Sequence, residues 1–174
     1  IKDRNVLPSI PGTTTAAITH ADLLDANSNC VQQCTGALQV QAQADLLAAQ
    51  GWRFDLRPGE KTVGAATTLS NSVFFNTNQP AAATCENALG IAREYRVHYA
   101  DASAVRDLDF TGDLDVGDRS AEHAGGGLLP DPVPLLVEMD GEYHQGVVIG
   151  PSVRDAGSVP FGARLRTNWN KRLD

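Results

Sequence analysis

Short runs with strand character, separated by Gly, Pro and Asn, fill the chain from Trp52 onward. Residues 52–56 alternate apolar and charged side chains with a period of two, which is typical of a half-buried strand. Residues 62–69 and 72–77 are two β-rich runs, and the Ser-Asn pair at 70–71 between them predicts a hairpin. Sheet therefore dominates the predicted structure of this part of the chain.

One further strand and a clearer hairpin signal follow along the chain. The strand is predicted at residues 93–99 from their β-branched and aromatic content. Residues 133–139 and 142–149 are two further runs joined by Asp140-Gly141, and an Asp-Gly pair supplies the positive φ angles that a type I′ turn requires. Short strands with Gly and Pro between them indicate an all-β architecture, either a sandwich or a propeller.

The best helix candidate lies before these strands. Residues 38–50 carry leucines at helical spacing on an Ala- and Gln-rich background, and Gly51 ends the pattern. We therefore predict one domain, or the C-terminal fragment of a larger one, across residues 1–174. Within it, residues 1–50 are an entry segment with a short helix, and residues 51–174 supply the strands.

Charge and hydropathy exclude two classes of partner. The 174 residues include 21 acidic and 14 basic side chains, for a formal net charge of −7. A nucleic-acid partner requires a basic face, so we do not expect one. No apolar run approaches the roughly 20 residues of a membrane helix. The chain begins at Ile1 without a leader pattern, so we expect that an export signal has been removed or that the chain was part of a longer one.

The chain contains three cysteines, so at most one internal disulfide forms and one thiol is left over. Cys30 and Cys34 flank Val-Gln-Gln, a spacing that a small disulfide can close. A bond from either of them to Cys85 would instead join two distant segments, and three unreacted thiols are the remaining alternative. No partner His or Cys stands at zinc-like intervals, so we do not expect metal binding through sulfur.

The most specific motif is the acidic stretch at residues 107–118, which reads DLDFTGDLDVGD. EF-hand-type calcium loops place oxygen ligands at loop positions 1, 3, 5, 7, 9 and 12, with glycine at position 6 for a sharp turn. Counted from the first aspartate, each of these positions holds a suitable residue. The predicted metal ligands are Asp107, Asp109, Thr111, Asp113 through its backbone carbonyl, Asp115 and Asp118.

A solvated acidic loop is the alternative interpretation of this stretch. Five aspartates within twelve residues repel one another unless a cation neutralises them, and this favours calcium. Thr111 stands where Asp or Asn is usual and Asp118 where a bidentate Glu is commoner, so both departures should weaken the site. No helical pattern precedes the loop, which predicts a calcium loop on a β framework. Asp131 and Asp155 lie outside it, and we expect them to be only solvated.

Nothing in the sequence marks an active site, and we predict that the chain is not an enzyme. The four histidines show no His-Glu-x-x-His spacing, and no Gly-x-Ser-x-Gly motif is present. The glycine triplet at residues 125–127 lacks the Lys-Ser/Thr that completes a phosphate-binding loop. No catalytic residue and no organic cofactor site are therefore assigned.

An ordered series of phrases resembles the C-terminal region of the PilY family of type IV pilus biogenesis proteins. Residues 51–60 read GWRFDLRPGE and residues 61–77 continue as KTVGAATTLSNSVFFNT, followed by a Cys-containing loop with TCE at residues 84–86. A strand with RVHY at residues 96–99, an Asp-rich segment and a Gly-rich step into a Pro-containing strand come next. The resemblance covers about two-thirds of the chain, from Gly51 to the C-terminus.

This resemblance implies part of a β-propeller in an exported protein, located in the periplasm, on the outer surface or at the pilus tip. It implies calcium binding, cell adhesion, and control of pilus extension and retraction. The implied partners are pilin or minor pilin subunits, a longer chain of the same assembly, and a host or abiotic surface. Two alternatives are a periplasmic quinoprotein-type propeller enzyme, which a cofactor absorbance would reveal, and a secreted carbohydrate-binding module, which glycan-array binding would favour.

Overall fold

A computed structural model describes residues 17–81, 89–108, 110–139 and 142–157. The helices α1 (Cys30–Gln33) and α2 (Gly36–Ala48) precede most of the strands. Single 3₁₀ turns lie at His20–Asp22 and Gly117–Arg119. The strands are β1 (Leu24–Asp25), β2 (Trp52–Arg53), β3 (Lys61–Thr62), β4 (Thr67–Leu69), β5 (Ser72–Gln79), β6 (Ile91–His98), β7 (Ser120–His123), β8 (Val133–Met139), β9 (Glu142–Ile149) and β10 (Ser152–Gly157).

The strands form three sheets. β1 and β2 make a small parallel pair. β3 and β4 pair with the same edge of β5 at different heights, and β5, β6 and β7 continue from there as an antiparallel meander. β8, β9 and β10 form a second antiparallel meander. The mostly β fold with a short helix is therefore as predicted, but the described residues form neither a closed barrel nor a closed propeller.

The five-stranded sheet is covered on both faces. Phe74 and Ala92 on one face pack with Val147 and Ile149 of β9, and all four side chains are buried. Because successive residues of a strand point to opposite faces, Phe75 and Tyr95 lie on the other side. Their stacked rings are 4.8 Å apart between centroids, and the ring of Phe54 packs against both. This arrangement holds the second meander on one side and the N-terminal part of the chain on the other.

The local signals for hairpins and the helix are confirmed. Ser70 and Asn71 adopt φ angles of 48° and 63°, so β4 turns directly into β5 with Leu69 opposite Ser72. The second predicted hairpin is formed by β8 and β9 with the predicted boundaries, although its Asp140-Gly141 turn lies outside the described residues. α2 begins and ends two residues before the predicted helix.

Two predicted strands are shorter than expected because side chains intercept the backbone. β2 stops at Arg53, where the Asp55 N–H donates to the side-chain oxygen of Asn27 at 2.8 Å instead of to a neighbouring strand. The run predicted at residues 62–69 is broken into β3 and β4. At the break, the Ala65 N–H donates to the Asp131 carboxylate at 3.0 Å. The expectation that Asp131 is only solvated was therefore wrong.

Candidate calcium-binding loop

The acidic stretch connects two neighbouring strands of the five-stranded sheet. It follows β6 and an isolated bridge between Val97 and Ala104, and it ends in the 3₁₀ turn that leads into β7. Its two ends are therefore fixed by the sheet. A loop anchored in this way holds its side chains in a defined arrangement at the edge of the core.

Asp107, the first predicted ligand, bends the loop around the predicted glycine position. Its Oδ2 atom accepts the Gly112 N–H at 2.9 Å, and Gly112 has a φ angle of +91°. This left-handed conformation is one that glycine adopts without a steric penalty. The other oxygen of Asp107, Oδ1, is buried and has no hydrogen-bond partner among the residues that the structure describes. A carboxylate oxygen in this condition carries a desolvation cost that a cation would remove.

Asp118, the last predicted ligand, acts as an internal clasp. Its side chain is 1% exposed. Its Oδ1 atom accepts the Leu108 N–H at 2.6 Å, and its Oδ2 atom accepts the Asp115 N–H at 3.0 Å. The sequence predicts that this carboxylate closes the loop as a metal ligand, and in the structure it accepts two backbone N–H groups of the loop.

The middle of the loop is more open. Asp115 accepts the Gly117 N–H at 2.5 Å, and the Thr111 hydroxyl donates to the Asp113 carbonyl oxygen at 3.4 Å. Thr111 and Asp113 are exposed. Asp109 lies outside the described residues. Thus the structure brings Asp115 and Asp118 into direct contact, and it places Thr111 next to Asp113.

The fit of this loop to a calcium ion is partial. Across the described ranges, no three His, Cys, Asp or Glu side chains converge closely enough to hold a metal ion. The unpartnered oxygen of Asp107, the glycine turn and the oxygen-only chemistry of the loop suit a hard cation. Calcium coordination by this loop stays a prediction.

A buried polar cluster on the opposite face of the sheet was missed at the level of sequence. Glu60, at the end of a turn at residues 57–60, has a fully buried side chain that accepts hydrogen bonds from Thr77 and Tyr95. Arg93 lies 3.8 Å from the same carboxylate. Burial raises the pKa of Glu60, but these hydrogen bonds, one from the Arg57 N–H and the charge of Arg93 together hold it below its ordinary value. The cluster is held within the fold and stabilises a single packing of the turn against the sheet.

A disulfide joins Cys30 to Cys34. This resolves the pairing that the spacing left open, while Cys85 lies outside the described residues. The bond connects the start of α1 to the residue just after it, with the two Cα atoms 4.6 Å apart. Disulfides form and persist mainly in oxidising compartments. The Cys30–Cys34 bond is therefore used below as support for an extracytoplasmic location.

Other expectations concern membranes and histidines. Neither described helix has the length and apolar character that crossing a membrane requires. His98 contacts Asp101 at 2.9 Å, as is usual for a hydrogen-bonded structural histidine, and His20 and His144 are exposed. These positions assign no chemistry to the histidines.

The chain was compared with models of known protein families, with curated proteins and with solved structures, and none of them matches it. The resemblance to the PilY family therefore rests on the sequence phrases alone.

Proposed function

We propose that this chain is a calcium-binding, β-rich part of a type IV pilus-associated assembly factor or adhesin. The observation that carries the calcium part is the buried Oδ1 atom of Asp107, which has no hydrogen-bond partner in the described part of a loop closed by Gly112 and Asp118. The pilus part is supported by the ordered phrases from Gly51 onward. In this proposal the protein is not an enzyme, and calcium is its one cofactor.

The strand order supports assigning the chain to a propeller. β4, β5, β6 and β7 are consecutive and antiparallel, which is the four-stranded arrangement of one propeller blade. β8, β9 and β10 supply three strands of a second sheet that packs on the first through Val147 and Ile149. Two such units are fewer than a closed propeller needs, so the proposal places this chain within a longer protein.

The outer face of the second meander supports the same conclusion. Val147 and Ile149 of β9 point to the buried side of this sheet. Side chains alternate between the two faces of a strand, and paired residues share a face. By the strand register, the side chains of Val133, Val137 and Val153 therefore lie on the outer face. These three valines are 39–64% exposed. In the proposed propeller, this apolar face would be covered by the sheet of the next blade.

An extracytoplasmic location is supported by the Cys30–Cys34 disulfide. In the periplasm or at the pilus tip, calcium is the cation that a flexible oxygen-only loop selects, because magnesium keeps its waters and requires stricter geometry. By joining the two ends of the loop between β6 and β7, calcium would stiffen one blade. Pilins or minor pilins are the proposed partners of the assembled protein.

Two measurements test this proposal. Thermal unfolding in calcium, in magnesium and in chelator is expected to show a calcium-specific rise in stability of about 2.7 kcal/mol at roughly 100 times the dissociation constant. A melting curve that chelator leaves unchanged would remove calcium from the proposal. Co-purification with pilins tests the second part, and its absence from the full-length protein would argue against a pilus role even if calcium binds.

A further inference from the structure

A small cleft opens beside the acidic loop, between the five-stranded sheet and β10. Its volume is about 240 Å³. Three arginines line it: Arg96 on β6, Arg106 directly before the acidic loop and Arg154 on β10. The lining carboxylates are Glu94 and Asp107, so the count of three positive and two negative groups leaves one positive charge in a chain whose net charge is −7. A local excess of this sign favours an anionic ligand.

The three arginines differ in how much of their hydrogen-bonding capacity is used. The charge of Arg154 is balanced by Glu94, which faces it with N–O distances of 2.7 and 3.0 Å. Arg96 donates to the Asp155 carbonyl oxygen at 2.8 Å and to the Ser72 hydroxyl at 3.4 Å. A guanidinium group has five N–H donors, so Arg96 keeps donors for a ligand.

Of the three arginines, Arg106 has the most N–H donors available for a ligand. It is exposed, and it makes no hydrogen bond or ion pair with any residue in the described ranges. Burial lowers the pKa of Arg96, the positive charge of Arg106 lowers it further, and Asp155 partly opposes both. Arg96 and Arg106 line the same cleft, so both positive charges would attract an oxyanion bound there.

An aromatic ring stands at the mouth of the cleft. Phe110 lines it, and its side chain is 87% exposed. Its φ angle of 60° is uncommon for a bulky residue and turns this position of the loop away from a regular strand. An apolar ring held in solvent beside cationic groups suits a ligand that has both a flat face and an acidic group.

We propose that this cleft binds a sugar ring bearing a carboxylate, the chemistry of a uronic acid. Arg96 and Arg106 hold the carboxylate by charge-assisted hydrogen bonds, and Phe110 packs on the face of the ring. The cleft is below the roughly 300 Å³ at which drug-sized pockets begin, so it accommodates one sugar unit. The site uses no bound calcium, and it is independent of the proposed pilus role.

Titration calorimetry of the whole chain with glucuronate, glucose and inorganic sulfate tests this assignment. We expect glucuronate to bind and glucose to bind at least about tenfold more weakly, because glucose lacks the carboxylate. Arg106→Gln should weaken glucuronate binding at least about tenfold. Lys61→Gln, which removes the same charge from an exposed position on β3, is the matched control and should leave the affinity unchanged. Phe110→Ala should weaken glucuronate binding and leave sulfate binding unchanged.

Failure of glucuronate to bind, or equal binding of glucose, would overturn the proposal. Equal loss in Arg106→Gln and Lys61→Gln would overturn the placement in this cleft, and sulfate binding as tight as glucuronate binding would overturn the role of Phe110. The side chains of Arg106, Lys61 and Phe110 are all exposed, so we expect the three variants to fold. Thermal midpoints that match that of the unchanged protein will verify this. The titrations are run in chelator, where no ion changes the charge of Asp107, so this test gives its answer whether or not the loop binds calcium.

Discussion

The carboxylate of Asp118 accepts the backbone N–H of Leu108 at 2.6 Å and thereby joins the two ends of the acidic loop. A second bond from the Asp115 N–H uses the other oxygen. Both bonds join protein groups, so denaturation in chelator measures their contribution separately from that of the proposed calcium site.

Asp118→Ala is expected to destabilise the fold by about 1–3 kcal/mol, because it leaves two backbone N–H groups without acceptors at a buried position. Chemical denaturation in the presence of chelator measures this effect without a contribution from calcium. Asp113→Ala, at an exposed position of the same loop, is the control and should change stability by less than about 0.5 kcal/mol. Equal effects of the two changes would show that Asp118 is not a clasp.

Asp107→Asn is expected to weaken calcium binding at least tenfold, since it removes a coordinating oxygen and one negative charge, and about 1.4 kcal/mol is already a factor of ten. Isothermal titration with calcium measures the change. Glu138→Gln removes the same charge from an exposed position on β8 and should bind calcium as the unchanged protein does. Equal affinities across the three proteins would identify the acidic loop as a polar surface.

Stability is expected to fall at acid pH through Glu60. Its pKa in the folded protein is held below the ordinary value, so its stabilising contribution is present above about pH 4.3 and is lost as the pH falls through the folded pKa. Glu60→Gln should lower stability at neutral pH, because Arg93 then keeps its buried charge without this partner, and should flatten the acid limb. Denaturation midpoints between pH 7 and pH 3 provide the measurement. An unchanged acid limb in the variant would contradict this assignment.

Gly90→Ala is expected to destabilise the fold by more than about 1 kcal/mol. Gly90 has a φ angle of +71°, and a Cβ atom there would lie 2.5 Å from the backbone oxygen of Gln79. Gly59 also has a positive φ angle, +78°, but open space surrounds it. Gly59→Ala should therefore lower stability only by the cost of a non-glycine residue at positive φ, about 1 kcal/mol, and it serves as the control. If thermal unfolding gives the same loss for both, the close approach to Gln79 has no energetic weight.

Under oxidising conditions, thiol titration is expected to find one reactive thiol among the three cysteines, since Cys30 and Cys34 are joined. Three free thiols in protein purified without reductant would reject the disulfide. Replacing both cysteines with serine should cost about 2 kcal/mol, because the closed loop is short and its entropy is correspondingly small. Unfolding of the oxidised protein and of the double variant measures that difference.

The sequence by itself determined the elements whose signals are local. Positive φ angles at Ser70 and Asn71 follow from residues that tolerate them, so the hairpin between β4 and β5 was predictable from the turn. The boundaries of β8 and β9 were predictable from the two strand-like runs at residues 133–139 and 142–149. The glycine turn within the acidic loop was also predictable, because position 6 of such a loop requires the conformation that Gly112 adopts.

Tertiary structure alone decided the features that depend on distant partners. Asn27 ends β2 by binding Asp55, and Asp131 separates β3 from β4 by binding Ala65 across 66 residues. A strand continues only while its backbone groups pair with a neighbouring strand, and no local pattern announces a side chain that arrives from elsewhere to take those groups. The burial of Glu60 has the same origin, because it depends on the packing of its turn against the sheet. The same is true of the three arginines of the cleft, which come from β6, from the residue before the acidic loop and from β10.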